Sequence, residues 1–115
     1  MVIKIEFLKN NSESTLPIIQ LTKSRNKSTG TASFIFIKPK LFSLVEKEII
    51  CLTTMALIWE NKKIITNDIC VKFYKGKPFL IKSIFVFKNS FQWFEFLNFM
   101  QYYSNEIGLA FTTIK

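Results

Sequence analysis

The sequence predicts an α+β fold: a mainly antiparallel β-sheet with a long C-terminal helix packed on one face. Two observations indicate this. Apolar and polar side chains alternate through most of residues 2–87, which is typical of half-buried strands. From Asn89 onward the apolar residues recur at helical spacing instead. Because 115 residues suffice for one core without disulfides or a metal, we expect a single domain spanning residues 1–115.

Six strands are predicted before the helix and one after it: residues 2–8, 17–24, 31–37, 49–59, 64–74, 79–87 and 109–114. Residues 10–15 are expected to form a loop, and residues 41–47 a short helical turn or a loop. Residues 60–63 and 74–78 are expected to be turns. One strand fits its pattern poorly. In residues 64–74 the alternation places Ile65, Ile69 and Phe73 inward and Thr66 outward, but Asn67 then falls on the inward face.

The helix has clear sequence signals at both ends. Asn89 is a good N-cap, and Gln92 completes a capping-box pattern three residues later. Gly108 is the predicted residue just after the C-terminus. A core-facing stripe follows at helical spacing, formed by Trp93, Phe96, Leu97, Met100 and Tyr103. Phe94 and Tyr102 lie off this stripe, so we expect the helix to expose aromatic surface.

Residues 21–36 are predicted to form a basic hairpin, two strands meeting at a turn. Lys23, Arg25 and Lys27 place three cations at the end of the first strand and in the turn. Gly30 can adopt positive φ at no steric cost, which suits the turn. The alternation gives this hairpin an apolar side and a side rich in hydroxyl groups. It is therefore the best candidate for a binding surface.

Composition argues against an enzyme. The chain has no His, only eight scattered carboxylates and no glycine-rich phosphate loop. We therefore expect no catalytic residues, no cofactor and no metal site. Cys51 and Cys70 form no CxxC pair, and their apolar surroundings predict inert thiols that are buried or half-buried. The longest uncharged apolar run, residues 49–59, is shorter than the ~20 residues of a membrane span.

The net charge of +8 predicts an acidic partner. Two binding functions fit the composition equally well. A small basic β-module could bind single-stranded nucleic acid, with cations on phosphates and aromatic rings on bases. A protein-docking module could instead accept a partner segment at a sheet edge. The abundance of Lys, Ile, Phe and Asn is typical of an AT-rich genome such as that of a plastid, and the first eleven residues show no import signal.

Several motifs together resemble one family. They are L-T-K-S-R at residues 21–25, T-G-T-A-S-F at residues 29–34, Pro39, G-K-P at residues 76–78, Trp93 with Phe96, Phe99, Met100 and Tyr103, and finally Gly108, Leu109 and Phe111. In this order and at these distances they resemble the photosystem II assembly factors numbered twenty-eight in the Psb series, from about residue 5 to residue 111. The sequence departs from the family pattern at Lys62, Phe94, Tyr102 and Ile107.

The resemblance implies a non-catalytic protein with no cofactor, bound peripherally to the stromal (cytoplasmic) side of the thylakoid membrane. It implies transient association with photosystem II precursors that contain the larger inner-antenna chlorophyll protein and reaction-centre core subunits, and a sheet to which partner segments add. We expect a plastid location and a monomer when free. The hypothesis for the partner-binding residues is Thr22, Lys23, Ser24, Arg25, Lys27 and Thr31, with Arg25 at the centre because it is the one Arg in the chain.

Overall fold

The computed structural model describes residues 3–8, 11–23, 29–44, 54–107 and 112–114. Within them, strands precede and follow a long C-terminal helix. The elements are β1 (Ile3–Leu8), β2 (Asn11–Ser12), β3 (Ile18–Lys23), β4 (Gly30–Ile37), α1 (Leu41–Leu44), β5 (Met55–Trp59), β6 (Lys62–Thr66), β7 (Asp68–Tyr74), β8 (Lys77–Phe87), α2 (Ser90–Ile107) and β9 (Thr112–Ile114).

The strands divide between two sheets. One has the order β2-β1-β5-β6, and the other has the order β7-β8-β4-β3-β9. Strand pairing is antiparallel except between β3 and β9, which run parallel. The predicted α+β class, with mainly antiparallel pairing and one long C-terminal helix, is confirmed. The division into two sheets was not predicted, because a period of two assigns a side chain to a face without saying to which sheet its strand belongs.

Alternation in β3 and β4 places the side chains as predicted. Ile19 and Leu21 are buried, and so are Ala32, Phe34 and Phe36. Gln20 and Thr22 are exposed on the opposite face of the sheet. We call that opposite face of the five-stranded sheet its outer face, because the buried side faces α2 and the four-stranded sheet. At Gln20, Thr22, Thr31 and Ser33 the hairpin therefore has the polar side that its sequence predicts, whereas farther along the strands the same face carries Ile18, Ile35 and Ile37.

The prediction of a single strand over residues 64–74 is wrong. The chain forms β6 in one sheet and β7 in the other, and Asn67 lies between them. Thr66 is only 9% exposed, whereas Ile65 is 53% exposed, which reverses the predicted orientation. The Thr66 hydroxyl donates a hydrogen bond to the Ile84 carbonyl and accepts one from the Asp68 N–H at 3.1 Å. These bonds satisfy the polar groups at the corner where the chain changes sheets.

Aromatic side chains join α2 to both sheets. The Phe99 ring lies 5.3 Å from that of Trp59 in the four-stranded sheet, and the Phe96 ring lies 4.8 Å from that of Phe87 in the five-stranded sheet. The sheets also touch directly, since the rings of Phe7 and Phe36 are 5.0 Å apart. The predicted helix stripe is buried at Trp93, Phe96, Met100 and Tyr103, half-buried at Leu97, and extended by Phe99.

Several further predictions, about a turn, the cysteines, the helix end and the final strand, can be compared with the structure. The turn predicted at residues 60–63 is narrower, because β6 begins at Lys62. Cys70 is exposed, so the prediction of a buried or half-buried thiol is wrong there, and Cys51 lies outside the described residues. Gly108, which was predicted to follow the C-terminus of the helix, also lies outside the described residues. The final strand, β9, falls within the predicted residues 109–114. None of the described helices is long and apolar enough to cross a membrane.

Candidate partner-binding surface

The basic hairpin is formed by β3 and β4, and its described pairs run up to Lys23 and Gly30. Thr22 lies opposite Thr31, and Lys23 lies opposite Gly30. Ser24, Arg25 and Lys27, which were predicted to bind a partner, lie outside the described residues. We refer to the four described residues at this position as the hairpin root.

The hairpin root presents different residues on its two faces. Thr22 is exposed on the outer face, and half-buried Thr31 lies beside it. Exposed Val86 extends this row from β8, since it lies opposite Thr31. Lys23 belongs to the other face, where its Nζ lies 5.9 Å from the centre of the Trp93 ring. The structure therefore brings Thr22 and Thr31 together and separates Lys23 from them.

Gly30 is required by packing and not by turn geometry. It does not adopt positive φ but begins β4, so the proposed role in the turn is wrong. A Cβ at this position would lie 2.7 Å from Trp93 Cζ3 and 2.8 Å from the Thr22 carbonyl oxygen, both far inside van der Waals contact. The missing side chain is what allows the indole to pack directly beneath the hairpin root.

The start of α2 supports that indole. The Asn89 carboxamide oxygen accepts a hydrogen bond from the Gln92 N–H at 2.9 Å, which confirms the N-cap. Gln92 Oε1 accepts one from the Lys88 N–H at 2.8 Å, one residue earlier than the capping box predicts. The Trp93 ring also lies 5.6 Å from that of Phe87, which is paired with Gly30. Cap, indole and hairpin root thus form one continuous contact.

Neither strand of the hairpin is itself an edge of the five-stranded sheet. Strand β3 is not an edge, because β9 pairs with it from Gln20 to Thr22. The outer strands are β7 and β9 in one sheet and β2 and β6 in the other. Any partner segment that extends a sheet next to the hairpin would therefore meet β9 before it met β3. Sequence alternation gives no signal for this order, since it contains no pairing information.

A cleft of about 570 Å³ lies between β6 and the start of α2. It is lined by Lys63 and Ile65 of β6, by Val86 of β8, and by Phe91 and Glu95 of α2. Lys62 Nζ is 3.9 Å from Glu95 Oε2 and 5.8 Å from the centre of the Trp59 ring. Sequence reasoning missed this cleft, because β5 and β6 form one wall and β8 and α2 another, and no local pattern shows that these two parts of the chain meet. The exposed side chain of Phe91 was the one available signal.

Two tyrosines among the described residues have a pKa raised above its ordinary value. Burial raises the pKa of Tyr103 to about 12, and the negative charge of Glu13 adds to the shift. A hydrogen bond to Glu60, together with the charge of that carboxylate, raises the pKa of Tyr102. Among the described residues no three side chains of the His, Cys, Asp and Glu types come together as a metal site would require. The arrangement at the hairpin root is suited to hydrogen bonding and contact with another surface.

Comparison with known proteins matches the sequence of this chain to one family over nearly its whole length. The family model described as Psb28 protein matches residues 5–111. The photosystem II reaction center Psb28 protein of Pyropia yezoensis is 40% identical over 110 residues, which cover 94% of each chain. The protein of the same name from Thalassiosira pseudonana is 38% identical and covers 97% of this chain and 98% of its own. That of Trichormus variabilis is 38% identical over 109 residues.

Proposed function

The chain belongs to the Psb28 family of photosystem II reaction center proteins, and on that basis we propose that it is a non-catalytic assembly factor for photosystem II. It binds transiently to precursor reaction-centre complexes on their stromal, or cytoplasmic, electron-acceptor side. While bound it holds the stromal loops in a non-final arrangement and shields the quinone region. The observation on which this rests is the family match over residues 5–111, which includes every strand of the hairpin and the whole of α2.

The proposed docking surface is the outer side of the hairpin root together with residues 24–28 that follow it in the sequence. Thr22 and Thr31 present two hydroxyl groups side by side, and each can donate and accept a hydrogen bond. The indole of Trp93 beneath Gly30 gives this surface a rigid base. Arg25 is proposed as the central contact, because its planar guanidinium can bind a partner carboxylate with two hydrogen bonds.

The partner and location follow from the same proposal. The partner is a precursor that contains the larger inner-antenna chlorophyll protein and core subunits, and the chain acts as one domain and as a monomer when free, without a cofactor. It lies peripherally on the stromal side of the thylakoid membrane. The Lys-, Ile-, Phe- and Asn-rich composition supports a plastid in particular. The comparisons with known proteins give no support to the alternative of single-stranded nucleic acid.

Affinity isolation of the tagged chain from gently solubilised thylakoids tests this proposal. We expect recovery of a photosystem II precursor that lacks the oxygen-evolving subunits. Recovery of ribosomes or RNA alone would contradict the assembly function and favour the nucleic-acid alternative. Steep salt dependence of RNA binding, with useful affinity at physiological salt, would point the same way.

Variants at the hairpin test the docking surface itself. Arg25→Ala is expected to lower recovery of the precursor strongly, and Arg25→Lys to restore it only in part, since an ammonium cannot form the paired hydrogen bonds of a guanidinium. Thr31→Lys is expected to block docking sterically on the outer face. Lys63→Ala is the matched control, because Lys63 is an exposed cation on β6 of the other sheet. Equal losses from Arg25→Ala and Lys63→Ala would show that only net charge matters.

A further inference from the structure

The outer face of the five-stranded sheet is aliphatic at the end remote from the hairpin root. Ile18 lies opposite Ile35, and Ile37 lies opposite Leu80, so these four side chains form a continuous patch across β3, β4 and β8. The irregularity between Lys72 and Phe73 places Phe73 opposite Pro78 next to it. Ile18, Ile37 and Phe73 each expose 45–54% of their surface. Helix α2 packs on the other face, so it does not cover this patch.

Lysines surround that patch. Lys82 lies opposite Ile35 and Lys72 opposite Leu80, while Lys75 and Lys77 occupy the β7–β8 turn and its flank. We call this surface the basic sheet end; it consists of Ile18, Ile35, Ile37, Phe73 and Leu80 with Lys72, Lys75 and Lys82, whereas Lys77 pairs with Tyr74 on the opposite face. The salt bridges found among the described residues, Lys4–Glu6 and Lys62–Glu95, do not involve these lysines.

Within the described ranges, the nearest carboxylates do not neutralise the basic sheet end. Asp68 shares the outer face but lies opposite Ile84, toward the hairpin root. Glu13 accepts hydrogen bonds from the N–H groups of Thr15, Lys40 and Leu41, and its charge acts on buried Tyr103 on the other side of the sheet. The outer face is therefore polarised, with its cations gathered at one end.

The tip of this surface has a fixed shape. Lys75 and Gly76 both adopt positive φ, at 52° and 80°, which is the geometry of a type I′ turn. Tyr74 is 61% exposed beside the turn, and Lys75 Nζ lies 5.4 Å from the centre of its ring. Behind the turn, Lys38 and Lys77 line an open groove of about 480 Å³ with Tyr74 and Phe79. Aromatic rings with cations around them are typical of a surface that lies at a membrane interface.

We propose that the basic sheet end binds directly to an anionic lipid bilayer. Charge complementarity favours this occupant. The cations belong to two strands and a turn around an aliphatic centre, so a laterally uniform anionic surface meets all of them at once. Phe73 and the aliphatic side chains then enter the boundary between headgroups and acyl chains, while the lysine side chains extend to the phosphates.

This inference goes beyond the proposed function, because a peripheral location needs only a protein partner in the membrane. It also assigns a different surface, since the hairpin root lies at the other end of the same face. Direct lipid binding would orient the chain on the membrane before it meets a precursor complex. It would leave Thr22 and Thr31 at the end of the sheet away from the lysine-rich turn.

Flotation with protein-free vesicles tests the proposal. The chain is expected to bind vesicles of phosphatidylcholine that contain phosphatidylglycerol, and not vesicles of phosphatidylcholine alone. Each lysine near an anionic surface contributes about fivefold in partitioning, so Lys72→Ala with Lys75→Ala should weaken binding roughly 25-fold at low salt. Phe73→Ser should lower it by about fivefold at every salt concentration that still permits binding, since its contribution is apolar.

The matched control removes the same charge elsewhere. Lys63→Ala with Lys88→Ala changes two exposed lysines of β6 and of the segment before α2, and it should weaken binding less than threefold. Thermal denaturation verifies that both double variants fold. Absence of phosphatidylglycerol-dependent binding would overturn the proposal, as would equal losses from the two double variants. A self-associated form in sedimentation that Ile37→Glu disrupts would assign this face to a second copy. Recovery of photosystem II precursors is read separately, because these vesicles contain no protein.

Discussion

Substitution of Gly30 by Ala is expected to destabilise the protein, although the general rules for strands predict the opposite. Within a strand, Gly→Ala normally stabilises by about 0.4–1 kcal/mol, because the unfolded chain loses conformational freedom. Here the added Cβ would lie 2.7 Å from Trp93 Cζ3 and 2.8 Å from the Thr22 carbonyl oxygen. Neither neighbour can withdraw easily, since the indole is only 2% exposed and the carbonyl belongs to the strand backbone.

The expected cost is that of forcing an extra carbon atom into a packed core, about 1–3 kcal/mol. With a urea dependence of about 1–3 kcal/mol per molar for a small domain, the midpoint of unfolding should fall by roughly 1 M. Tryptophan fluorescence and circular dichroism would follow the transition. The Trp93→Leu background provides an internal check, because removal of the indole should reduce the cost of Gly30→Ala while the contact with the Thr22 carbonyl remains.

The control is Gly76→Ala, which acts through backbone strain alone. Gly76 has a φ of +80°, and a Cβ there would meet no atom within 4 Å. Its cost should therefore be the same with and without the indole of Trp93. A midpoint for Gly30→Ala at or above that of the unchanged chain would refute the close approach of Trp93 to the hairpin root. Equal costs of Gly30→Ala in the two backgrounds would refute the role of the indole.

Two further predictions concern the core. Trp59 Nε1 donates a 2.7 Å hydrogen bond to Asn98 Oδ1, so Asn98→Leu should cost about 1–3 kcal/mol in thermal denaturation, whereas Asn98→Asp keeps an acceptor and should cost less; equal costs would contradict the bond. The pKa of Tyr103 is raised from 10.0 to about 12, so the fold favours its protonated form. That contribution to stability is complete below pH 10 and is lost as pH rises toward 12. The difference in urea midpoint between the unchanged chain and Tyr103→Phe should shift over that range, and a constant difference would contradict the raised pKa.

Much of the fold could be predicted from periodicity, because most strands have one buried face. The hairpin of β3 and β4 and the stripe of α2 are confirmed for this reason. The alternation failed at Thr66, where the chain passes from one sheet to the other and the inward face changes. Asn67 on the predicted inward face was the one signal of that change. The wrong prediction for Cys70 has a similar cause. Its apolar neighbours in the sequence do not show which face of the strand is covered, and the thiol lies on the exposed one.

For the described residues of the candidate site, the sequence predicted the face of Thr22 and Thr31 but not the placement of Lys23 or the role of Gly30. Thr22 and Thr31 do share one face, as alternation requires. Lys23 lies two residues after Leu21, so alternation assigns it to the buried face with Leu21 and not to the face of Thr22. The prediction grouped the cations by their position in the chain and did not apply this alternation to Lys23. The role of Gly30 could not be predicted, because the atom it must avoid belongs to Trp93, and no local pattern connects those two residues.

The parallel pairing of β9 with β3 has a consequence for folding during translation. Gln20 and Thr112 are neighbours in the sheet but lie about ninety residues apart in the chain, so their pairing closes one of the longest loops the sequence allows. The hairpin of β3 and β4 needs only local contacts and can form early. The edge of β3 that faces away from β4 then stays unpaired until β9 has been translated. Throughout synthesis that edge is open to other chains, and a truncation before Thr112 would leave it open permanently.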